Sequence, residues 1–304
     1  MSINYTIIIP HHNIPNLLDR CLSSIPRRDD VQIIVVDDCS GEEYQSAIQE
    51  LENKYSNVFF IFDKKGGGGG HARNVGLLYA QGKYVMFADA DDFFNDCFNS
   101  ILDDYIDADV DLVFFKGNSV DTDSYVPAHR ADHLNGYIDA HLSGDDIEGN
   151  LLRYKFGEPW ARMVKTSIII DNNIRFDETK IHNDTTYAYL VGFYGKTFKV
   201  DTRTLYCVTV RSGSVSVRTD ANRIKTRVVV FAKAEHFFEC HNIPVEVTEH
   251  YVQLARLLAN RKFSLYNECC NIITEYGTSM FTVYSKTIWI FFRLLIRRFL
   301  FPRM

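Results

Sequence analysis

Three clusters of polar side chains each stand directly after a short apolar run, and their types narrow the chemistry they could perform. Asp89, Asp91 and Asp92 follow YVMFA. Carboxylates this crowded repel one another unless a cation or solvent offsets them, and hard oxygen ligands of this kind suit Mg²⁺ or Mn²⁺. Asp37 and Asp38 follow VQIIVV, where Asp38 could accept a hydrogen bond from the N–H of a base. His11, His12 and Asn13 follow YTIIIP. A further tract, Lys64-Lys65 and the five glycines Gly66 to Gly70, leads into His71-Ala72-Arg73-Asn74, where early helix amides and Arg73 could meet a phosphate or organise the acidic cluster. This tract is not a P-loop, because no Gly-Lys-Ser/Thr follows, and a dinucleotide-binding glycine fingerprint would follow the first strand. Solvated turn carboxylates and a tolerated glycine loop would read the same way locally, so location must decide.

The first 115 residues alternate short apolar runs with longer amphipathic ones: Tyr5 to Ile9, Val31 to Val36, Val58 to Phe62, Tyr84 to Ala88 and Leu112 to Phe115 are separated by helical periods. Strands too apolar for a half-wet antiparallel sheet, alternating with helices, imply an α/β fold. Its Rossmann-like central sheet is mostly parallel and covered on both faces. Ligands of such sheets collect beyond the carboxyl ends of the strands, where all three clusters fall. A divalent ion held there between a diphosphate and one or two carboxylates would neutralise charge on a departing nucleotide. Residues 117–149, rich in Asp, His, Gly and Ser, suggest loops and an added hairpin; from Ala221 helices dominate. We expect a catalytic α/β domain over 1–218 and a helical region over 219–304.

Composition sets limits on partners. The chain has 304 residues, 33 Lys plus Arg against 39 Asp plus Glu, and a formal charge of -6, which gives no whole-chain case for wrapping nucleic acid. Seven scattered cysteines and an opening that runs straight into strand-like sequence suggest a reduced, cytoplasmic setting. Adjacent Cys269 and Cys270 read as buried thiols.

The segments TIIIPHHN, VVDDCS, GGGGGHARNVGLLYAQGKYVMFADADD, EPWARMVKTSIIIDNNIRFDE and HNDTTYAYL together resemble, in order and spacing over roughly residues 3 to 215, the motif series of the family 2 glycosyltransferases of the GT-A fold. The likeness is greatest to bacterial enzymes of capsular and other surface polysaccharides. The resemblance implies an inverting transfer from a UDP-sugar to a saccharide acceptor, lipid-linked in many such systems. It places Pro10 and His11 at the nucleotide base, Asp38 on uracil, Arg73 near the nucleotide and Asp89 near the ribose or sugar. Asp91 becomes the leading metal ligand, with Asp92 alongside, and Asp184 the base toward the acceptor hydroxyl. Capping of the following helix is the other use for Asp184. Two departures stand out: His12-Asn13 replaces the usual Tyr-Asn, and Asn183 replaces an acidic residue. Trp160 could pack beneath an acceptor sugar or in the core, and His182 could assist at the acceptor or sit on the surface. Arg211-Ser212-Gly213-Ser214 corresponds to a segment that closes over donor phosphates in some relatives, where Arg211 would supply charge.

The end, SKTIWIFFRLLIRRFLFPRM, carries Lys286, Arg293, Arg297, Arg298 and Arg303 and no acid, so the chain before it has a charge of -11. Arginines interrupt its apolar material, so it does not read as a span; an interfacial helix over 286–301 on an anionic membrane fits, placing the chain peripherally on the inner face of the cell membrane. Partner binding or assembly into a homo-oligomer is the competing use of that helix. A nucleotidyltransferase and a non-catalytic membrane-interaction protein are the competing functions.

Overall fold

The computed structural model describes residues 2–211 and 220–300, with side chains to 296. Two compact units divide the chain, 1–214 and 215–304.

Among the described residues the first unit is built on eight strands: β1 (Tyr5–His11), β2 (Val31–Asp38), β3 (Val58–Asp63), β4 (Tyr84–Phe87), β5 (Phe93–Phe94), β6 (Leu112–Asp121), β7 (Arg162–Lys165) and β8 (Phe198–Val210). They form one sheet in the order β3-β2-β1-β4-β7-β6-β8-β5. The first four are mutually parallel, with Ile7 opposite Ile33 and Met86. Their near-continuous apolar sequence follows from burial on both faces: Ile7, Ile8, Ile9, Ile34, Val35 and Val36 have no exposed surface. β7 runs antiparallel between β4 and β6, and β8 pairs in parallel with β6 through an irregularity around Lys116. This inserted strand makes the sheet mixed beyond β4.

Helices α1 (Pro15–Ser23), α2 (Glu42–Lys54), α3 (Gly69–Leu77) and α4 (Phe98–Tyr105) flank the sheet. Each turns a stripe inward at helical spacing; α4, for example, buries Phe98, Ile101, Leu102 and Tyr105. In the segment expected to hold loops and a hairpin, the end of β6 turns back into a short antiparallel bridge of Val120 with Pro127, and α5 (Asp132–Ser143) then forms where no helix was expected, followed by the short α6 (Asn150–Tyr154). Only Leu134 and Ile138 of α5 are buried, a stripe too sparse to announce a helix among Asp, His and Gly. α7 (Thr166–Asp171) and α8 (Thr185–Tyr194) complete the unit.

The second unit contains α9 (Ala221–Cys240), α10 (Glu249–Ala259), α11 (Phe263–Glu275) and α12 (Met280–Leu300), packed through Val228, Tyr251, Leu254, Cys269, Cys270, Ile273 and Val283. Glu235 is a buried hub: it accepts hydrogen bonds from His250 Nε2 at 3.1 Å, Tyr251 Oη at 2.8 Å and Lys286 Nζ at 2.7 Å. Burial favours the protonated acid, yet these partners outweigh it and pull its pKa down to about 2. Lys286 is therefore an internal ion-pair partner, not part of a free basic surface. No helix among the described residues is long and apolar enough to cross a membrane.

Candidate active site

The ends of β1, β2 and β4 and the start of α8 gather the polar clusters at one edge of the sheet. The two histidines after β1 are easily confused in sequence, but their hydrogen bonds separate them. His11 is buried; Nδ1 lies 2.7 Å from Asp37 Oδ1 and Nε2 accepts the Ile14 N–H at 3.1 Å. One partner is an acceptor and the other a donor, so His11 is neutral with hydrogen on Nδ1. Both nitrogens are consumed in holding the turn, so the imidazole edge is not offered to a nucleotide. Asp37 also receives the Ser40 N–H and hydroxyl at 3.1 and 2.5 Å. Burial alone would raise its pKa, but His11 and Ser40 hold it below the usual carboxylate range. Pro10 lies half-buried in β1, opposite Val36. The exposed ring is His12, whose Nδ1 meets the Asp38 carbonyl oxygen at 2.9 Å while Nε2 faces the Asn13 amide at 3.0 Å.

Asp38 is the last residue of β2. Oδ2 accepts the Gly68 N–H at 2.8 Å, whereas Oδ1 is buried without a hydrogen-bond partner among the described residues. An unpaired buried acceptor is costly, and a ligand N–H would repay it. The glycine tract explains the other half of this contact. Gly68 has φ +85°, where a side chain would be strained. A Cβ on Gly70 would lie 2.1 Å from the Asp177 carbonyl oxygen.

Arg73, buried on α3, links two parts of the site. Nη2 pairs with Asp89 Oδ1 at 2.5 Å and Nη1 donates to Asn183 Oδ1 at 3.1 Å, with the guanidinium over the Phe176 ring. The acidic cluster then splits by exposure. Asp89 and Asp91 keep 33% and 29% of their side chains exposed, and Arg211 Nη2 lies 3.5 Å from Asp91 Oδ2. Burial, then the like charge of Asp89, pushes the Asp91 pKa up; Arg211 and Arg130 oppose this. Asp92 turns inward instead, accepting the Thr209 N–H at 2.7 Å, and is no candidate ligand. The Asp91 carbonyl is pinned by Arg20 Nη2 at 2.5 Å and Thr209 Oγ1 at 2.6 Å.

No group of three or more His, Cys, Asp or Glu among the described residues could enclose a metal. The donor set fits an open site: two partly exposed carboxylates, destabilised by each other, would be relieved by a divalent cation whose remaining positions go to phosphate and water.

Asp184 occupies the N-cap position of α8, but its side chain makes no cap hydrogen bond. Burial and the neighbouring Glu158 raise its pKa to about 6, with Arg73 opposing and Asp89 adding to the rise. Trp160 is 2% exposed and stacked on Tyr206 at 5.4 Å, so it is a core residue with no face for a sugar. Its effect on the site is indirect: Tyr206 Oη accepts the Asp89 N–H at 2.8 Å. His182 is half-buried with φ +53°. Ser212, Gly213 and Ser214 of the expected closing segment lie outside the described residues. The motif reading passed over Glu158, His133, Arg162, Tyr206 and Arg20; for Glu158 and Arg162 the signal was present inside EPWARM, flanking the tryptophan.

A mixed sheet whose parallel half brings Asp38, Arg73, Asp89 and Asp91 to its carboxyl edge, with Asp184 at the start of α8, defines an α/β protein of the GT-A architecture. Superposition on S. aureus TarS 1–349, solved in complex with UDP-GlcNAc, covers 95% of this chain and 89% of that one, with a TM-score of 0.66 at 19% identity. The chain belongs to glycosyl transferase family 2, whose model matches residues 6–170. Among curated relatives, the poly(ribitol-phosphate) beta-N-acetylglucosaminyltransferase TarS of Staphylococcus aureus is 30% identical over 95 residues, which is 30% of this chain and 17% of that protein. The cholesterol galactosyltransferase of Borreliella burgdorferi is 24% identical over 262 residues, 78% of this chain and 70% of that protein.

Proposed function

We propose that the chain transfers a sugar from a UDP-sugar to a hydroxyl of a saccharide acceptor, with inversion at the anomeric carbon, in the synthesis of a surface polymer. The observation that carries this reading is Asp184: a helix-start carboxylate that declines its capping bond and is held near pH 6 is suited to act as a base. Asp184 would take the acceptor proton as the hydroxyl oxygen attacks opposite the departing UDP. Asp38 Oδ1 would accept the uracil N–H, and the exposed His12 ring would lie against the base. Arg73 would keep Asp89 aligned with the Asn183–Asp184 segment. Mn²⁺ or Mg²⁺, held by Asp91 and Asp89, would supply charge stabilisation to the leaving diphosphate. The relatives named above differ in acceptor, and the one with the UDP-GlcNAc complex supports UDP as donor carrier.

Calorimetric titration with UDP, CDP and GDP in Mn²⁺ tests the donor half. UDP should bind best and Asp38→Ala should erase the preference; equal binding of all three would refute the uracil assignment.

We further propose that α12 lies on an anionic bilayer. Val283, Thr287 and Ile290 face inward, while Phe281, Ile288, Trp289, Phe292 and Ile296 are each at least half exposed, beside Arg293 and a sequence that adds three more arginines and no acid. Truncation would also remove the Lys286–Glu235 pair, so Phe292→Glu with Arg293→Glu is the cleaner test. It should abolish sedimentation with phosphatidylglycerol vesicles, and unchanged sedimentation would refute the proposal.

A further inference from the structure

Asp91 is held by two arginines. Its carboxylate faces Arg211, whereas its carbonyl oxygen accepts Arg20 Nη2 at 2.5 Å. Arg20 also donates to the Thr122 carbonyl oxygen at 3.1 Å through Nη1, and its guanidinium carbon lies 5.3 Å from the Phe93 ring centre and 5.9 Å from that of Tyr125. Arg20 thereby joins the acidic loop to an open cleft of about 1050 Å³ whose lining includes Phe93, Asn95, Asn118 and Tyr125. Small-molecule sites span about 300–1,000 Å³, so the cleft is large enough for a sizeable ligand. The transfer described above gives it no task.

Backbone strain is spent to present Tyr125. Its φ is +57°, where a bulky side chain is strained, yet 53% of the residue is exposed, so the core gains little from it. The turn that holds it is tightly bonded. Asp121 Oδ1 accepts the Ser124 N–H at 2.9 Å and the Ser124 hydroxyl at 2.8 Å, while the Tyr125 N–H reaches the Asp121 carbonyl oxygen at 3.0 Å. Elsewhere in the lining, Asn95 Nδ2 donates to Asn118 Oδ1 and to the Thr204 carbonyl oxygen, both at 2.9 Å. This leaves Asn95 Oδ1 as an acceptor and Asn118 Nδ2 as a donor, neither with a partner among the described residues. The cations of the lining are already matched: Arg203 pairs with Asp104 at 2.6 Å and Asp201 at 2.5 Å, and Arg20 serves backbone carbonyls. A phosphate or carboxylate would find no unmatched cation there and would meet the exposed Asp96. Aromatic faces suit the C–H surface of a sugar ring, and a fixed amide donor and acceptor suit neighbouring hydroxyls.

We propose that this cleft is a second saccharide site: it binds a neutral sugar unit of the polymer other than the unit that reacts, with Tyr125 and Phe93 against the ring and Asn95 and Asn118 on its hydroxyls. The choice of a polymer sugar rests on the reading of the chain as a saccharide transferase. Arg20 touches both the aromatic lining of the cleft and the Asp91 carbonyl, so a unit held here stays next to the donor site between transfers.

The test is NMR titration of the full chain labelled with nitrogen-15, following the side-chain amides of Asn95 and Asn118, which are identified as the signals lost in Asn95→Asp and Asn118→Asp. Maltotriose, cellotriose and chitotriose serve as neutral probes and inorganic phosphate as the anionic one. At least one trisaccharide should shift both amides saturably. Tyr125→Ala should weaken that binding about tenfold, Tyr125→Phe should retain it, and Asn118→Ala, at a second exposed position, should weaken it as Tyr125→Ala does. Absence of a saturable shift with every trisaccharide, unchanged binding in Tyr125→Ala and Asn118→Ala, or shifts with phosphate alone would overturn the proposal. The titration needs no donor, so its failure is distinct from failure of the transfer reading, which would show as absence of UDP release from UDP-sugars by the unaltered chain.

Discussion

Gly70 and Gly69 are neighbours in one glycine run, yet the structure assigns them opposite tolerance to a methyl group. A Cβ on Gly70 would stand 2.1 Å from the Asp177 carbonyl oxygen and 2.9 Å from Asn183 Cβ. Neither can swing aside: Asp177 N–H donates to the Asn183 carbonyl at 2.9 Å, closing the segment on itself, and Arg73 holds the Asn183 amide. Ordinary contact begins at 3.4 Å, against 2.1 Å here, so the segment must retreat by more than 1 Å, and Asp184 is its next residue. Overpacking of this kind costs about 1–3 kcal/mol. A displacement of about 1 Å at a reacting group costs about 100-fold in rate. At Gly69 the nearest atom to an added Cβ is Arg73 Nη1 at 3.4 Å, an ordinary van der Waals contact that requires no movement. Gly69→Ala should therefore be neutral or stabilise by about 0.5 kcal/mol by restricting the unfolded chain. Urea midpoints and UDP release from UDP-sugars read both effects. Equal damage in the two variants, or a silent Gly70→Ala, would refute the claim that close backbone approach dictates this tract.

Asp184→Asn should lower turnover by about 100- to 10,000-fold while UDP affinity is retained. Because the folded pKa of Asp184 lies above its unfolded value, its charge destabilises the fold above pH 6. The same variant should therefore gain up to about 2 kcal/mol at pH 7.5, an advantage that fades between pH 6 and 4 in urea titrations. Tyr206→Phe removes the acceptor of the Asp89 N–H, so it should cost about 1–3 kcal/mol and weaken Mn²⁺-dependent UDP binding by calorimetry. Glu235 has a depressed pKa, so its contribution is present above about pH 4.5 and is lost as pH falls toward 2. Glu235→Gln should destabilise the helical unit by about 3 kcal/mol at neutral pH and flatten that acid dependence, followed by Trp289 fluorescence.

The parallel half of the sheet was legible because buried parallel strands are continuous apolar runs, and the carboxylates were legible because they close those runs. Asp38 ends β2 and Asp89 and Asp91 follow β4, whereas Asp184 closes no apolar run and stands at the start of α8. What stayed hidden depends on partners distant in sequence. His11 and His12 exchange roles through Asp37 and the Asp38 carbonyl on the neighbouring strand, contacts that only the register of β1 on β2 creates. Trp160 reads equally well as a platform or a core residue until β8 supplies Tyr206 beneath it. His133, Glu158 and Arg162 converge because α5 forms and β7 inserts between β4 and β6, and no local pattern encodes either event. Lys286 looked like the first charge of a basic tail, but a buried carboxylate 51 residues earlier claims it.

The most direct measurement is proton NMR of turnover of α-linked UDP-sugars (UDP-glucose, UDP-galactose and their N-acetyl forms) by the full chain with Mn²⁺, recorded before the released sugar equilibrates its anomers. We expect UDP as the nucleotide product and a sugar of inverted, β configuration, with Asp184→Asn abolishing both signals. Release of pyrophosphate, or a first-formed α sugar, would contradict single displacement at this site.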